Sequence, residues 1–93
     1  MVLQIGKYKV SDDLKTKQKE NPILAKDVAT ALYAHITGMW AENAAEHYEQ
    51  AKNGERVTAI FPTVCGNIVI DTLADRTQTT ISMAQNEIME DKK

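Results

Sequence analysis

Apolar positions recur every three or four residues through much of the first half of the chain and every second residue through the second half. The clearest helical stretch is "NPILAKDVATALYAHITG", in which Leu24, Val28, Ala31, Leu32 and His35 fall on one face. Asn21 is placed to cap its start, Pro22 suits the first helical position, and Gly38 can close the end in the left-handed conformation. This spacing predicts an amphipathic helix with its apolar stripe on the core. After "GMW", the residues Ala41, Ala44, Ala45, Tyr48 and Lys52 repeat the helical spacing as far as "NG" at 53 and 54. A second helix is expected there, its small residues lying close to a neighbour, with the short link giving an antiparallel or sharply angled pair. Ahead of both, "LQIGKYKV" (3–10) alternates as a short strand of mixed faces, and "SDDLKTKQKE" opens with good helix-start residues, predicting a short exposed helical turn.

Beyond Glu55 the period changes. "RVTAIFP", "NIVIDTL" and "TQTTISM" are short runs rich in Val, Ile and Thr, separated by "TVCG" and "ADR". They predict a meander of three antiparallel strands, the first two joined in a hairpin around Cys65, Gly66 and Asn67. On the central strand Ile68, Ile70 and Thr72 share one face and Val69, Asp71 and Leu73 the other, and one face should carry the helices. The tail "AQNEIMEDKK" reads as a short helix or a frayed end over 84–93. The fold class is α+β: a single domain over 1–93, with a helix pair on a small antiparallel sheet and the N-terminal strand added at an edge.

The totals narrow this picture. A chain of 93 residues folds as one domain but buries only roughly 60 to 65 per cent of its unfolded surface, so a second face covered by a partner, in a homo-oligomer, is expected. Hydrophobic residues at 43 per cent and charged residues at 26 per cent are ordinary globular values. A net charge of -2 offers little attraction to a nucleic acid backbone. Cys65 is the one cysteine, which excludes an internal disulfide and fits a reducing compartment. No apolar run approaches the length of a membrane span, and the expected location is the cytoplasm.

Candidate chemistry is sparse. His35, His47 and Cys65 lack the spacing of a metal site, and no metal or cofactor is expected. Nothing local activates Cys65 as a nucleophile, and Glu42, Glu46 and Glu49 read as a solvated helix face. The glycines are scattered singly, so no phosphate loop is present. Two stretches stand out. In "HITGMW" a histidine, a threonine and the sole tryptophan converge at a helix end: Trp40 either stacks on a planar ligand with His35 donating a hydrogen bond, or plugs the junction of helices and sheet. In "LADRTQTTI", Asp75 and Arg76 read as the turn between the second and third meander strands, followed by strand-forming threonines.

In order along the chain, "AHITGMW", an acidic helix, a strand hairpin and "ADRTQTTI" resemble a family of small orphan proteins of bacteriophages and mobile elements. That family shows an A-R-H-x-S-G-D-W segment and an I-T-E-A-D-R-S-x-T-T-I signature. The matching residues are Ala34, His35, Thr37, Gly38 and Trp40, then Ala74, Asp75, Arg76, Thr77, Thr79, Thr80 and Ile81. Met39 departs from the acidic residue of the pattern, and the tail differs from the family's acidic, tyrosine-ending one. Members are sometimes labelled a type I restriction enzyme M subunit, a label this chain does not support, because a methyltransferase needs a far longer chain and its cofactor motif. The resemblance implies a phage or mobile-element setting, in which short orphan proteins often blunt host defence. The expectation is a non-enzymatic counter-defence protein that sequesters a nucleotide-type immune signal or binds a host effector. Its ligand corner would comprise His35, Thr37, Trp40, Arg76, Thr77, Thr79 and Thr80, the arginine and hydroxyls suiting phosphate and the tryptophan a base. The alternative is a protein-interaction or regulatory module with no small-molecule ligand.

Overall fold

The computed structural model describes residues 3–40 and 43–84. Its elements run β1 (Lys7–Val10), α1 (Asp12–Glu20), α2 (Pro22–Thr37), α3 (Ala44–Lys52), β2 (Val57–Thr63), β3 (Gly66–Thr72) and β4 (Gln78–Met83). The architecture is α+β. The expected meander is present, with β2 antiparallel to β3 and β3 antiparallel to β4. The N-terminal strand lies at an edge, in the sheet order β1-β4-β3-β2. It pairs with β4 in parallel, so the sheet is mixed rather than wholly antiparallel. The reason is topological: β1 and β4 are far apart in sequence, and the helical segment between them carries the chain across one face before the meander returns to β1.

The expected signals of α2 are in place. Asn21 Oδ1 accepts a hydrogen bond of 3.0 Å from the Ile23 N–H, Pro22 opens the helix, and Gly38 closes it at φ 78°. Leu24, Val28, Ala31 and His35 are buried, while Leu32 is half-buried at the border of the stripe. α1 is longer than the single turn expected, because Leu14 is fully buried and anchors nine residues. The helix packed against α2 is α1, and α3 leans on β2.

α3 is rotated from its expected setting. Ala44, Ala45, Tyr48 and Lys52 are exposed, and the inward residues are His47, buried, and Ala51, half-buried. The His47 ring tilts against Trp40 with centroids 5.6 Å apart, a larger contact than the alanine methyl groups provide. The link from α2 spans residues 38–43 instead of three residues, and Ala41 and Glu42, like the tail after Ala84, lie outside the described residues.

One sheet face carries all three helices. Val57, Ala59 and Phe61 of β2, Ile68 and Ile70 of β3 and Ile81 of β4 meet Leu14, Leu24 and Val28 in the core. Ile68, Ile70 and Thr72 point inward, in keeping with the alternation in the sequence. On the opposite face Arg56 makes a two-pronged ion pair with Asp71, which also accepts from Thr58. The guanidinium holds the Asp71 carboxyl below its ordinary pKa. The β2–β3 hairpin tip is tied to α2 by Asp27, whose carboxylate accepts the Val64 N–H at 2.8 Å.

Candidate functional site

The two sequence motifs meet inside the protein. The Trp40 indole N–H donates to His35 Nδ1 at 3.0 Å, and His35 Nε2 lies 2.9 Å from Thr72 Oγ1. An indole nitrogen can only donate, so Nδ1 carries the lone pair and the imidazole proton is on Nε2. Thr72 Oγ1 is 2.8 Å from Thr79 Oγ1, which donates to the Ile5 carbonyl at 2.9 Å. With His35 donating to Thr72, the chain runs in one direction from Trp40 to the backbone ahead of β1. Each hydroxyl gives and receives one bond. His35, Thr72 and Thr79 are fully buried and Trp40 is nearly so. Burial, with the nearby His47 adding to it, lowers the His35 pKa to about 4, so the ring is neutral at neutral pH. The His35 ring stands nearly perpendicular to those of Trp40 and Phe61, at centroid distances of 6.0 and 6.2 Å.

Arg76 occupies the turn between β3 and β4 with φ 62°. Its guanidinium donates to the carbonyls of Glu55 at 2.7 Å, Leu73 at 3.0 Å and Ala51 at 3.2 Å. The Ala51 carbonyl belongs to the last turn of α3, where a cation is favoured by the helix dipole. Asp75 Oδ1 accepts both the backbone N–H and the hydroxyl of Thr77, an Asx turn that holds the Asp75 carboxyl below its ordinary pKa. Gly6, at φ +63°, passes against this turn so closely that a Cβ would lie 2.6 Å from the Arg76 carbonyl oxygen and closer still to the Thr77 carbonyl.

These placements divide the residues of the expected ligand corner between the core and the surface. His35, Trp40 and Thr79 line no open surface, because their polar atoms satisfy one another within the core. Arg76 Nη1 donates to the Glu55 and Leu73 carbonyls and Nη2 to that of Ala51, and the Thr37 hydroxyl bonds back to the Tyr33 carbonyl of its own helix. Thr77 closes the turn, and Thr80 points to the opposite sheet face beside Lys9, its register partner on β1. His35, Trp40 and Thr79 thus lie in the core, whereas Arg76 and Thr77 lie in the β3–β4 turn and Thr80 on the outer sheet face. Among the described residues no group of three or more His, Cys, Asp or Glu side chains is placed to hold a metal ion, and no helix is long and apolar enough to cross a membrane.

An open groove lies elsewhere. A groove of about 540 Å³ runs between β1 and the outer faces of α1 and α2. Val10, Ala25, Val28, Leu32 and Ile81 give it an apolar floor, with Ala29 exposed beside them. Tyr8, Lys9, Lys15 and Gln18 form its rim, which contains two lysines and no carboxylate. Its signal in the sequence is the repeat Ala25, Ala29, Leu32 beside the main α2 stripe, where two small side chains leave space against a sheet edge.

No family model, curated protein or solved structure matches this chain. The likeness to the phage family therefore rests on the two motifs alone.

Proposed function

We propose that this chain is a non-enzymatic binding protein, used by a phage or mobile element against host defence, and that it works by docking a protein in the groove beside β1. The observation that carries the docking reading is the groove itself: an apolar floor and a cationic rim at a sheet edge that no other described strand covers. The nucleotide-sequestering reading is less supported, since Trp40 is buried and Arg76 Nη1 and Nη2 already donate to three carbonyls. The phage setting is supported by "HITGMW" and "ADRTQTTI".

The test compares wild-type protein with Ala29→Arg, in which an arginine fills the groove from an exposed position without entering the core. Affinity capture with cross-linking from host cells is expected to recover one stoichiometric partner with the wild type and at least about tenfold less with the variant, the effect of losing roughly 1.4 kcal/mol of binding energy. Circular dichroism should show both proteins equally folded. Equal recovery by Ala29→Arg, or calorimetric binding of a cyclic nucleotide or an ADP-ribose derivative, would overturn the reading.

A further inference from the structure

The edge strand beside the groove is oriented to accept another strand. On its β4 side, the Lys7 N–H donates to the Thr77 carbonyl at 3.2 Å and the Ser11 N–H to the Ile81 carbonyl at 2.9 Å. A strand directs the backbone groups of alternate residues to opposite sides, so the N–H and C=O of Tyr8 and Val10 point away from β4, to the edge that no other described strand covers. The register Tyr8↔Thr79 and Val10↔Ile81 places these two side chains on the helix-covered face, and Lys7 and Lys9 on the other with Gln78 and Thr80.

We infer that the partner docks as an extended segment that adds a strand to β1 and alternates apolar with acidic residues. This rests on the groove reading above. An added strand continues the side-chain alternation of its neighbour. Its residues on the helix side fall into the groove over Val28 and Leu32, which requires apolar side chains. Its residues on the other side lie against Lys7 and Lys9, both exposed, which favours carboxylates. Among the described residues that line the hollow beside Lys9 on that face, Asp12, in the first turn of α1, is the one carboxylate. A second copy of this chain is the poorer occupant. When β1 pairs with β1 and the helices stay on one side, the registers that set Tyr8 opposite Tyr8 or Val10 place Lys7 opposite Lys9 or Lys9 opposite Lys9, and like charges directly opposite destabilise a strand pair. The same lysines guard the edge against self-association in the absence of the partner.

The probe is a capped synthetic peptide alternating glutamate and valine, titrated into the isotopically labelled protein and followed by NMR. The expected result is saturable shifts centred on the Tyr8 and Val10 amides, with slowed hydrogen exchange at both. A lysine–valine peptide should leave them unmoved. Methylating one peptide-backbone nitrogen that faces β1 should weaken binding by about tenfold, the scale of one lost hydrogen bond. The exposed double variant Lys7→Glu with Lys9→Glu should reverse the preference and take the lysine–valine peptide. The inference is overturned if Tyr8 and Val10 do not respond, if backbone methylation has no effect, or if the charge reversal leaves the preference intact. Non-response of the peptide together with a partner still lost on Ala29→Arg overturns strand addition while the groove reading stands; recovery unaffected by Ala29→Arg defeats that reading as well.

Discussion

The Trp40 indole N–H donates to His35 Nδ1 at 3.0 Å, and this one bond sets the tautomer of a fully buried imidazole. Everything further along the relay follows from it, because a proton on Nε2 makes Thr72 an acceptor from His35 and leaves its own hydroxyl hydrogen for Thr79.

Breaking the relay in the middle leaves buried groups unpaired on both sides. Thr72→Val removes the acceptor of His35 Nε2–H and the donor to Thr79, with an expected destabilisation of about 2 kcal/mol in urea unfolding. Thr79→Val should cost a similar amount by orphaning the Ile5 carbonyl. The double variant should cost clearly less than the sum of the two, because each single change already strands the other hydroxyl. Strict additivity would show that the two hydroxyls do not communicate.

Acid should weaken the fold through His35. Its pKa is about 4 in the folded protein against an ordinary 6.5, so the unfolded chain binds the proton more readily between those values. The stability associated with the neutral ring is fully present above pH 6.5 and is lost as the pH falls toward 4, a change on the order of 3 kcal/mol. Asp71, whose carboxyl is held below its ordinary range, acts in the same direction at lower pH still. Unfolding curves followed by Trp40 fluorescence across this range measure the slope. His35→Gln should flatten it between pH 6.5 and 4, and an unchanged slope would assign the effect elsewhere.

Gly6→Ala is predicted to release β1 from β4. The added methyl group meets backbone atoms of Arg76 and Thr77, and the positive φ of Gly6 is strained for alanine. The lost contacts and strain together are expected to cost about 2 to 3 kcal/mol. Hydrogen exchange should show the Lys7 and Ser11 amides losing protection well before those of β3.

Arg76→Ala should lower stability by about 1 to 2 kcal/mol, since the Ala51, Leu73 and Glu55 carbonyls lose a charged donor. Arg76→Lys should recover only part of this, because a single ammonium lacks the fork that spans the three carbonyls. Thermal unfolding of the three proteins ranks them. Arg76→Ala equal to wild type would remove the clamp from the account of the fold.

The candidate relay was partly visible in the residue pattern. Thr72 falls on the predicted inward face of β3 with Ile68 and Ile70, and a hydroxyl on a buried face needs a partner. His35 lies on the apolar stripe of α2 and raises the same requirement. What the pattern lacks is the pairing of these groups, since Trp40, His35, Thr72 and Thr79 come from a linker, a helix and two strands. The groove was less visible. Ala25 and Ala29 read as ordinary helix positions until β1 lies beside them.

By itself the sequence determined the features whose causes are local: the Asn21 cap and Gly38 stop of α2, the Asx turn at Asp75 and Thr77, and the inward set Ile68, Ile70 and Thr72. Each follows from a backbone preference or from a period of two, and neighbours a few residues away suffice to specify it. Tertiary structure decided the parallel setting of β1 on β4, the rotation of α3 that turns His47 inward, and the joining of Trp40, His35, Thr72 and Thr79 in a buried relay. β1 has four residues and α3 has nine, with few apolar side chains to orient them. Their settings follow from what they bury against: the β4 edge in one case and the Trp40 ring in the other.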